Sequence, residues 1–113
     1  VLALAMIETR AALDALDEIA ATPGLDGLFV GPSDLGIALG LGVGASHQHP
    51  LLADALQRIV STSRAQGRIA GIWCGSAEMA REMADLGYRL VAPGHDAIWL
   101  KAEIQRRLSI LRG

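Results

Sequence analysis

Hydrophobic and polar positions along this chain alternate between two patterns. Leu2 to Ile7 is an unbroken apolar run, the pattern of a strand buried on both faces. Ala11 to Ala21 then places Leu13, Leu16, Ile19 and Ala20 at helical spacing, and Pro23-Gly24 stops that helix. A second strand, Gly27 to Val30, ends at Gly31-Pro32, and a long glycine-rich loop is expected from Gly36 to Gly44. His49-Pro50 opens a helix in which Leu52, Leu56 and Ile59 share a face, and Gln66-Gly67 closes it. The third strand is Ile69 to Trp73. Ser76 has the chemistry of an N-cap, with Met79, Met83 and Leu86 on one helical face and Gly87 as the stop. Leu90 to Ala92 is the fourth strand, broken by Pro93-Gly94. A last helix, from about Ala97, carries Leu100, Ile104, Leu108 and Leu111 in one stripe. Arg106, Arg107 and Arg112 fall in its last turns, where cations complement the helix dipole.

Strands alternating with helices predict an α/β fold with a parallel sheet. Four consecutive βα units in 113 residues are about 28 residues each, and eight would make a (β/α)₈ barrel. The rival, a doubly wound sheet, usually carries a glycine-rich turn after its first strand. Here that strand runs into Ile7-Glu8-Thr9-Arg10, with no glycine. Half of a TIM barrel is therefore the expected architecture, with residues 1–113 as a single partial domain. The opening on Val1, directly in a core strand, reads as part of a longer chain.

Composition narrows the partners. The chain is 51% hydrophobic and 19% charged, with a formal net charge of −2. That suits a globular domain and gives no basic excess for nucleic acid or anionic lipid. The single cysteine, Cys74, excludes an intrachain disulfide and points to a reducing, cytoplasmic setting. The longest apolar run, Val1 to Ile7, is far short of the roughly 18 residues a membrane helix needs. No basic residues precede it, as they would in a signal peptide.

In parallel α/β folds the reactive groups follow the carboxyl ends of the strands. Those positions hold Glu8-Thr9-Arg10, Gly31-Pro32-Ser33-Asp34, Cys74-Gly75-Ser76 and Pro93-Gly94-His95-Asp96. If the first two strands are neighbours, about 5 Å apart, Glu8 and Asp34 can face one point. Two such anions repel unless a cation lies between them or one takes a proton, and a hard divalent ion fits a pair of carboxylates. The alternative is that Glu8 pairs with Arg10 and Asp34 caps a short helix. The Gly31-Pro32-Ser33-Asp34 turn can aim the N–H groups of Ser33 and Asp34 at a carboxylate, or be an ordinary βα turn. Both alternatives stay open on spacing alone. Cys74 has no His or Asp beside it in sequence to activate it, so a buried structural thiol is expected. His49, before Pro50, reads as a helix-entry residue, and Arg10 as half of a structural ion pair.

Met6-Ile7-Glu8-Thr9, followed by Pro23-Gly24-Leu25-Asp26-Gly27-Leu28-Phe29-Val30-Gly31-Pro32-Ser33-Asp34-Leu35, closely resembles the HpcH/HpaI aldolase family. The likeness continues through His49-Pro50, Gly67-Arg68-Ile69-Ala70-Gly71 and Leu90-Val91-Ala92-Pro93-Gly94-His95-Asp96. It implies the C-terminal half of the barrel of a metal-dependent (class II) pyruvate aldolase. Such enzymes reversibly cleave a 2-keto-4-hydroxy acid to pyruvate and an aldehyde. By the same resemblance, Glu8 and Asp34 bind Mg²⁺, Mn²⁺ or Co²⁺. The turn of Gly31, Pro32, Ser33 and Asp34 holds the pyruvate carboxylate, and the metal stabilises the enolate by Lewis acidity. Trp73 replaces a smaller residue near the aldehyde end of the site, where it either narrows the acceptor pocket or simply packs.

The family's acid/base histidine and its arginine precede the Met-Ile-Glu-Thr strand, and His47, His49 and His95 do not match them. The chain alone is therefore expected to be a weak or inactive aldolase. The resemblance also implies homo-oligomers that exchange C-terminal helices. The competing readings are a non-catalytic half-barrel that folds by self-association and an acyl-CoA lyase of the citrate-lyase-like branch.

Overall fold

The computed structural model describes all 113 residues. Its strands are β1 (Leu4–Ile7), β2 (Gly27–Val30), β3 (Ile69–Cys74) and β4 (Leu90–Pro93). They form one sheet in the order β1-β2-β3-β4, parallel throughout. Helices α1 (Arg10–Asp14) and α2 (Leu16–Ala20) follow β1, while α3 (Pro32–Ala38) and α4 (Pro50–Ala65) follow β2. Helix α5 (Ala77–Leu86) follows β3 and α6 (Asp96–Arg112) follows β4. Four consecutive βα units with neighbours paired in sequence order are the arrangement of half a (β/α)₈ barrel.

Register sorts the strand residues onto two faces. Met6, Phe29, Gly71 and Leu90 lie side by side across the sheet. Residues one position away point to the opposite face. On that opposite face Ile7, Leu28, Val30, Ala70, Ile72 and Cys74 are buried. They pack in one core with Leu13, Leu16, Leu35, Leu52, Leu56, Ile59 and Met83 from the helices. The expectation of strands buried on both faces fails on the other side, where Met6 is 52% and Leu90 39% exposed. Only one layer of helices exists in this chain, so only one face of the sheet is covered.

Several local expectations are also corrected. β1 begins at Leu4 rather than Leu2; the Ala3 N–H donates to the Asp26 carboxylate at 2.7 Å and not to a strand backbone. The helix expected over Ala11–Ala21 is divided at Ala15, whose ψ of 18° offsets the two halves. Gly36 is not in a loop; it lies within α3, which Pro32 opens at a position where its missing N–H costs nothing. A side chain at Gly36 would press on Ala45 at 3.3 Å, so glycine lets the returning loop close down. Arg106 and Arg107 do not serve the helix end: both pair with Glu103 at 2.8 Å. Arg10 and Glu8 form no ion pair, with each other or with any other residue.

Caps fall where side-chain chemistry placed them. The Ser76 hydroxyl accepts from the Met79 N–H at 3.1 Å. His49 Nδ1 accepts from the Leu51 N–H at 3.3 Å. Gly87 closes α5 at φ 122°. The stripe expected on the last helix is present but covered by nothing, since α6 has no buried residue. This helix stretches the molecule to 56 × 33 × 21 Å, with a radius of gyration of 16.0 Å, against about 13 Å for a compact domain of this length. No helix is long and apolar enough to cross a membrane.

Candidate metal and carboxylate site

Glu8 and Gly31 lie one step beyond the last paired residues of β1 and β2, Ile7 and Val30. Their register makes them cross-strand neighbours, and the Glu8 side chain uses the space a side chain on residue 31 would fill. A Cβ built on Gly31 would sit 2.5 Å from Glu8 Oε2 and 3.3 Å from Glu8 Cβ. Glycine at this position leaves room for the carboxylate to lie across β2, and a Cβ there would displace it. Asp34 comes from the first turn of α3, whose entry Pro32 stiffens.

Glu8 and Asp34 open into one cavity of about 240 Å³, lined also by Met6, Phe29, Gly31, Pro32, Ser33 and Trp73. Every residue expected at the site is thus brought together. Asp34 does not cap α3, whose N-cap is Gly31 with no side-chain hydrogen bond. It enters no salt bridge either. Two carboxylates without a cationic partner suit a hard divalent ion that takes its other oxygens from water or ligand. No third His, Cys, Asp or Glu joins them to complete a protein cage. Met6 and Phe29 were not singled out in the sequence. Their position two residues before Glu8 and Gly31, hence on the same face, is the signal that finds them.

Trp73 borders this cavity and a second one of about 180 Å³, which Ser33, Ser46, His47 and Gly75 also line. Its side chain is half-buried. His95 stacks on it, with ring centroids 6.4 Å apart and planes at 28°, a contact that joins the ends of β3 and β4. His47 Nε2 lies 2.7 Å from Glu82 Oε2, tying the α3–α4 loop to α5. That hydrogen bond, with a weaker one from Gln48, holds the Glu82 carboxyl below its ordinary range. His49 is a cap, as expected. Cys74 is fully buried, and desolvation pushes its thiol above its ordinary value, which makes it a poor nucleophile.

Parallel strands, helices on one face and paired carboxylates at the carboxyl ends of adjacent strands define half of a (β/α)₈ barrel that bears its polar site at the catalytic end of that fold. The sequence profile described as HpcH/HpaI aldolase/citrate lyase matches residues 1–101. The chain belongs to this family. It is 36% identical over 113 residues to 2-keto-3-deoxy-L-rhamnonate aldolase of Escherichia coli O6:K15:H31, covering 96% of this chain and 40% of that protein. It is 35% identical over 112 residues to hydroxypyruvate/pyruvate aldolase of Rhizorhabdus wittichii, covering 99% and 45% respectively. The crystal structure of an HpcH/HpaI aldolase/citrate lyase family protein from Burkholderia cenocepacia J2315 superposes with a TM-score of 0.93 at 34% identity, over 100% of this chain and 43% of the other. The chain thus spans less than half the length of these relatives and matches their C-terminal half.

Proposed function

We propose that residues 1–113 form the metal- and pyruvate-binding half of a class II pyruvate aldolase, which reversibly cleaves a 2-keto-4-hydroxy acid to pyruvate and an aldehyde. The observation that carries this reading is the convergence of Glu8 and Asp34 on one cavity beside the Gly31–Asp34 turn. The family description takes in citrate lyases as well; relatives named as aldolases at 35–36% identity favour aldol chemistry.

Glu8 and Asp34 would hold Mg²⁺, Mn²⁺ or Co²⁺. Lewis acidity toward the carbonyl of a 2-keto acid is what such an ion supplies when bound. The N–H groups of Ser33 and Asp34, in the first turn of α3, have no partner earlier in that helix and would bind the substrate carboxylate. Met6 and Phe29 supply apolar walls that keep water from it. Trp73 bounds the acceptor side and would restrict the size of the aldehyde. Carboxylates engaged with a cation are poor bases, and no His, Lys or Arg lines the cavity. General acid–base help is worth about 10²–10⁴ in rate, so turnover by residues 1–113 alone should be weak.

Calorimetry with Mn²⁺ tests the site: Asp34→Asn removes one of two anions and should weaken binding at least tenfold, leaving the far-UV CD spectrum unchanged. Equal affinity would overturn the assignment. Pyruvate release from a 4-hydroxy-2-keto acid should not exceed that of Mn²⁺ alone. Fast turnover would instead direct attention to His95 as a proton carrier. We also propose a homo-oligomer in a cytoplasmic setting. The exposed stripe on α6 is a surface that association would cover.

A further inference from the structure

We propose a second site, at the opposite end of the sheet from Glu8 and Asp34, that binds a dianionic phosphate group. Arg68 and Arg89 each stand immediately before the first residue of a strand, β3 and β4 respectively. Those strands are parallel neighbours, so the two arginines arrive at one corner. Arg64, in the last turn of α4, joins them there. Together with Ser63 and Gly87 they wall a cavity of about 270 Å³.

The arrangement is partly preorganised. Arg68 Nε donates to the Ala20 carbonyl at 2.8 Å and Nη2 to that of Thr22 at 3.0 Å, while Nη1 donates to Leu25. The guanidinium is held in place by neutral partners that leave its charge intact. Arg64 reaches across to α5 over Gly87, where a Cβ would lie 2.8 Å from its Nη2. None of the three arginines forms a salt bridge, and no acidic residue lines the cavity.

Charge decides the class of ligand. The C-terminal ends of α4 and α5 approach this corner, and Arg68 also meets that of α2 at Ala20; each is equivalent to roughly half a negative charge. Together they offset about one and a half of the three guanidinium charges and leave about as much. A carboxylate would neutralise only part of that excess. A phosphate group, carrying about −1.5 to −2 near neutral pH, matches it, and guanidinium forks suit its oxygens. A second observation points the same way. Ser63 is fully buried, its hydroxyl has no hydrogen-bond partner in the chain, and it belongs to the wall of this same cavity. Buried polar atoms are nearly always paired, so an orphan hydroxyl on the wall of a cavity with three arginines and no acid points to an oxyanion as its missing partner. β3, six residues long, puts about 20 Å between its two ends, and the two cavities share no residue. The phosphate group is therefore not part of the substrate held by the carboxylate pair.

The test is calorimetry on the purified protein at fixed ionic strength, with inorganic phosphate, glycerol phosphate and acetate as separate titrants. Saturable binding of a phosphate is expected, with acetate at least tenfold weaker. Arg64→Met and Arg89→Met alter exposed side chains and should keep the CD spectrum, yet each should weaken phosphate binding about tenfold, the loss of one charge-assisted contact. Asp34→Asn should leave it unchanged, which separates this site from the metal site. Tighter binding of glycerol phosphate would assign a phosphate monoester as the source, and equal or weaker binding would assign free phosphate; either supports the site. No saturable binding of either phosphate, unchanged affinity in both arginine variants, or acetate binding as tightly would overturn it.

Discussion

Helices α4 and α6 have almost the same length, 16 and 17 residues, and both follow a histidine at the N-cap position. Both carry apolar residues at helical spacing. Yet α4 buries Leu52, Ala55, Leu56, Ile59, Val60 and Ser63, while α6 buries nothing. The difference lies in what stands opposite. α4 rests on β2 and β3 in the middle of the sheet, with α2 and α3 beside it. α6 follows β4, the last strand, and meets no neighbouring unit. An amphipathic stripe therefore records that a helix needs a partner, and where the partner stands is a property of the assembled barrel.

The largest effect expected from this contrast is on stability. Leu56→Ala in α4 should cost about 2–5 kcal/mol by cavity formation, read as a lower midpoint in urea unfolding. Leu108→Ala in α6 should leave the dilute protein's midpoint nearly unchanged. Ile104→Asp should abolish self-association in light scattering while preserving that midpoint. Equal destabilisation by Leu56→Ala and Leu108→Ala would break the comparison, because it would mean that α6 packs within its own chain.

A smaller effect concerns how α4 is anchored. The buried Tyr88 hydroxyl donates to the Leu56 carbonyl at 3.0 Å. Tyr88→Phe should cost about 1 kcal/mol, the usual net worth of such a bond. Burial, with a lesser contribution from Cys74, pushes the Tyr88 phenol well above its ordinary value. A folded-state value raised in this way adds stability that is fully present below the unfolded phenol's value near 10 and is lost as pH rises beyond it. Alkaline unfolding should thus set in above about pH 10, and Tyr88→Phe should flatten that part of the profile. An unchanged profile would show that α4 is not held through Tyr88.

The smallest effect separates the two N-caps. His49 accepts from the Leu51 N–H, whereas His95 makes no capping bond and stacks on Trp73 instead. His49→Ala should cost about 0.5–1 kcal/mol, and His95→Ala less. His95→Ala should alter the fluorescence of Trp73, a readout that His49→Ala leaves alone.

Much of this molecule is written locally. The alternation of strand and helix, the caps at Ser76 and His49, the stop at Gly87 and the placement of Glu8 and Asp34 at the ends of the first two strands all follow from residue type and spacing. These features depend on backbone geometry and on neighbours within about five residues, so one chain suffices to read them. The family motif added the expectation that the two carboxylates act together.

Other features required residues far apart in sequence to meet. A run such as Leu4–Ile7 reads the same whether one face of its sheet is covered or two, and only the single layer of helices decided for one. Glycine at 31 could have been an ordinary turn residue until Glu8 was seen lying across it. Helix α3 was masked by Gly36, which serves close packing against Ala45, a contact invisible to propensity. Arg64, Arg68 and Arg89 are unremarkable as separate basic residues; parallel pairing of β3 with β4 makes them a cluster. The chain by itself determined its four strands and most of its helices, and placed Glu8 and Asp34 after the first two strands. Tertiary structure decided which apolar surfaces are buried and which charges share a cavity, because burial and electrostatics depend on distance through space, which local sequence does not encode.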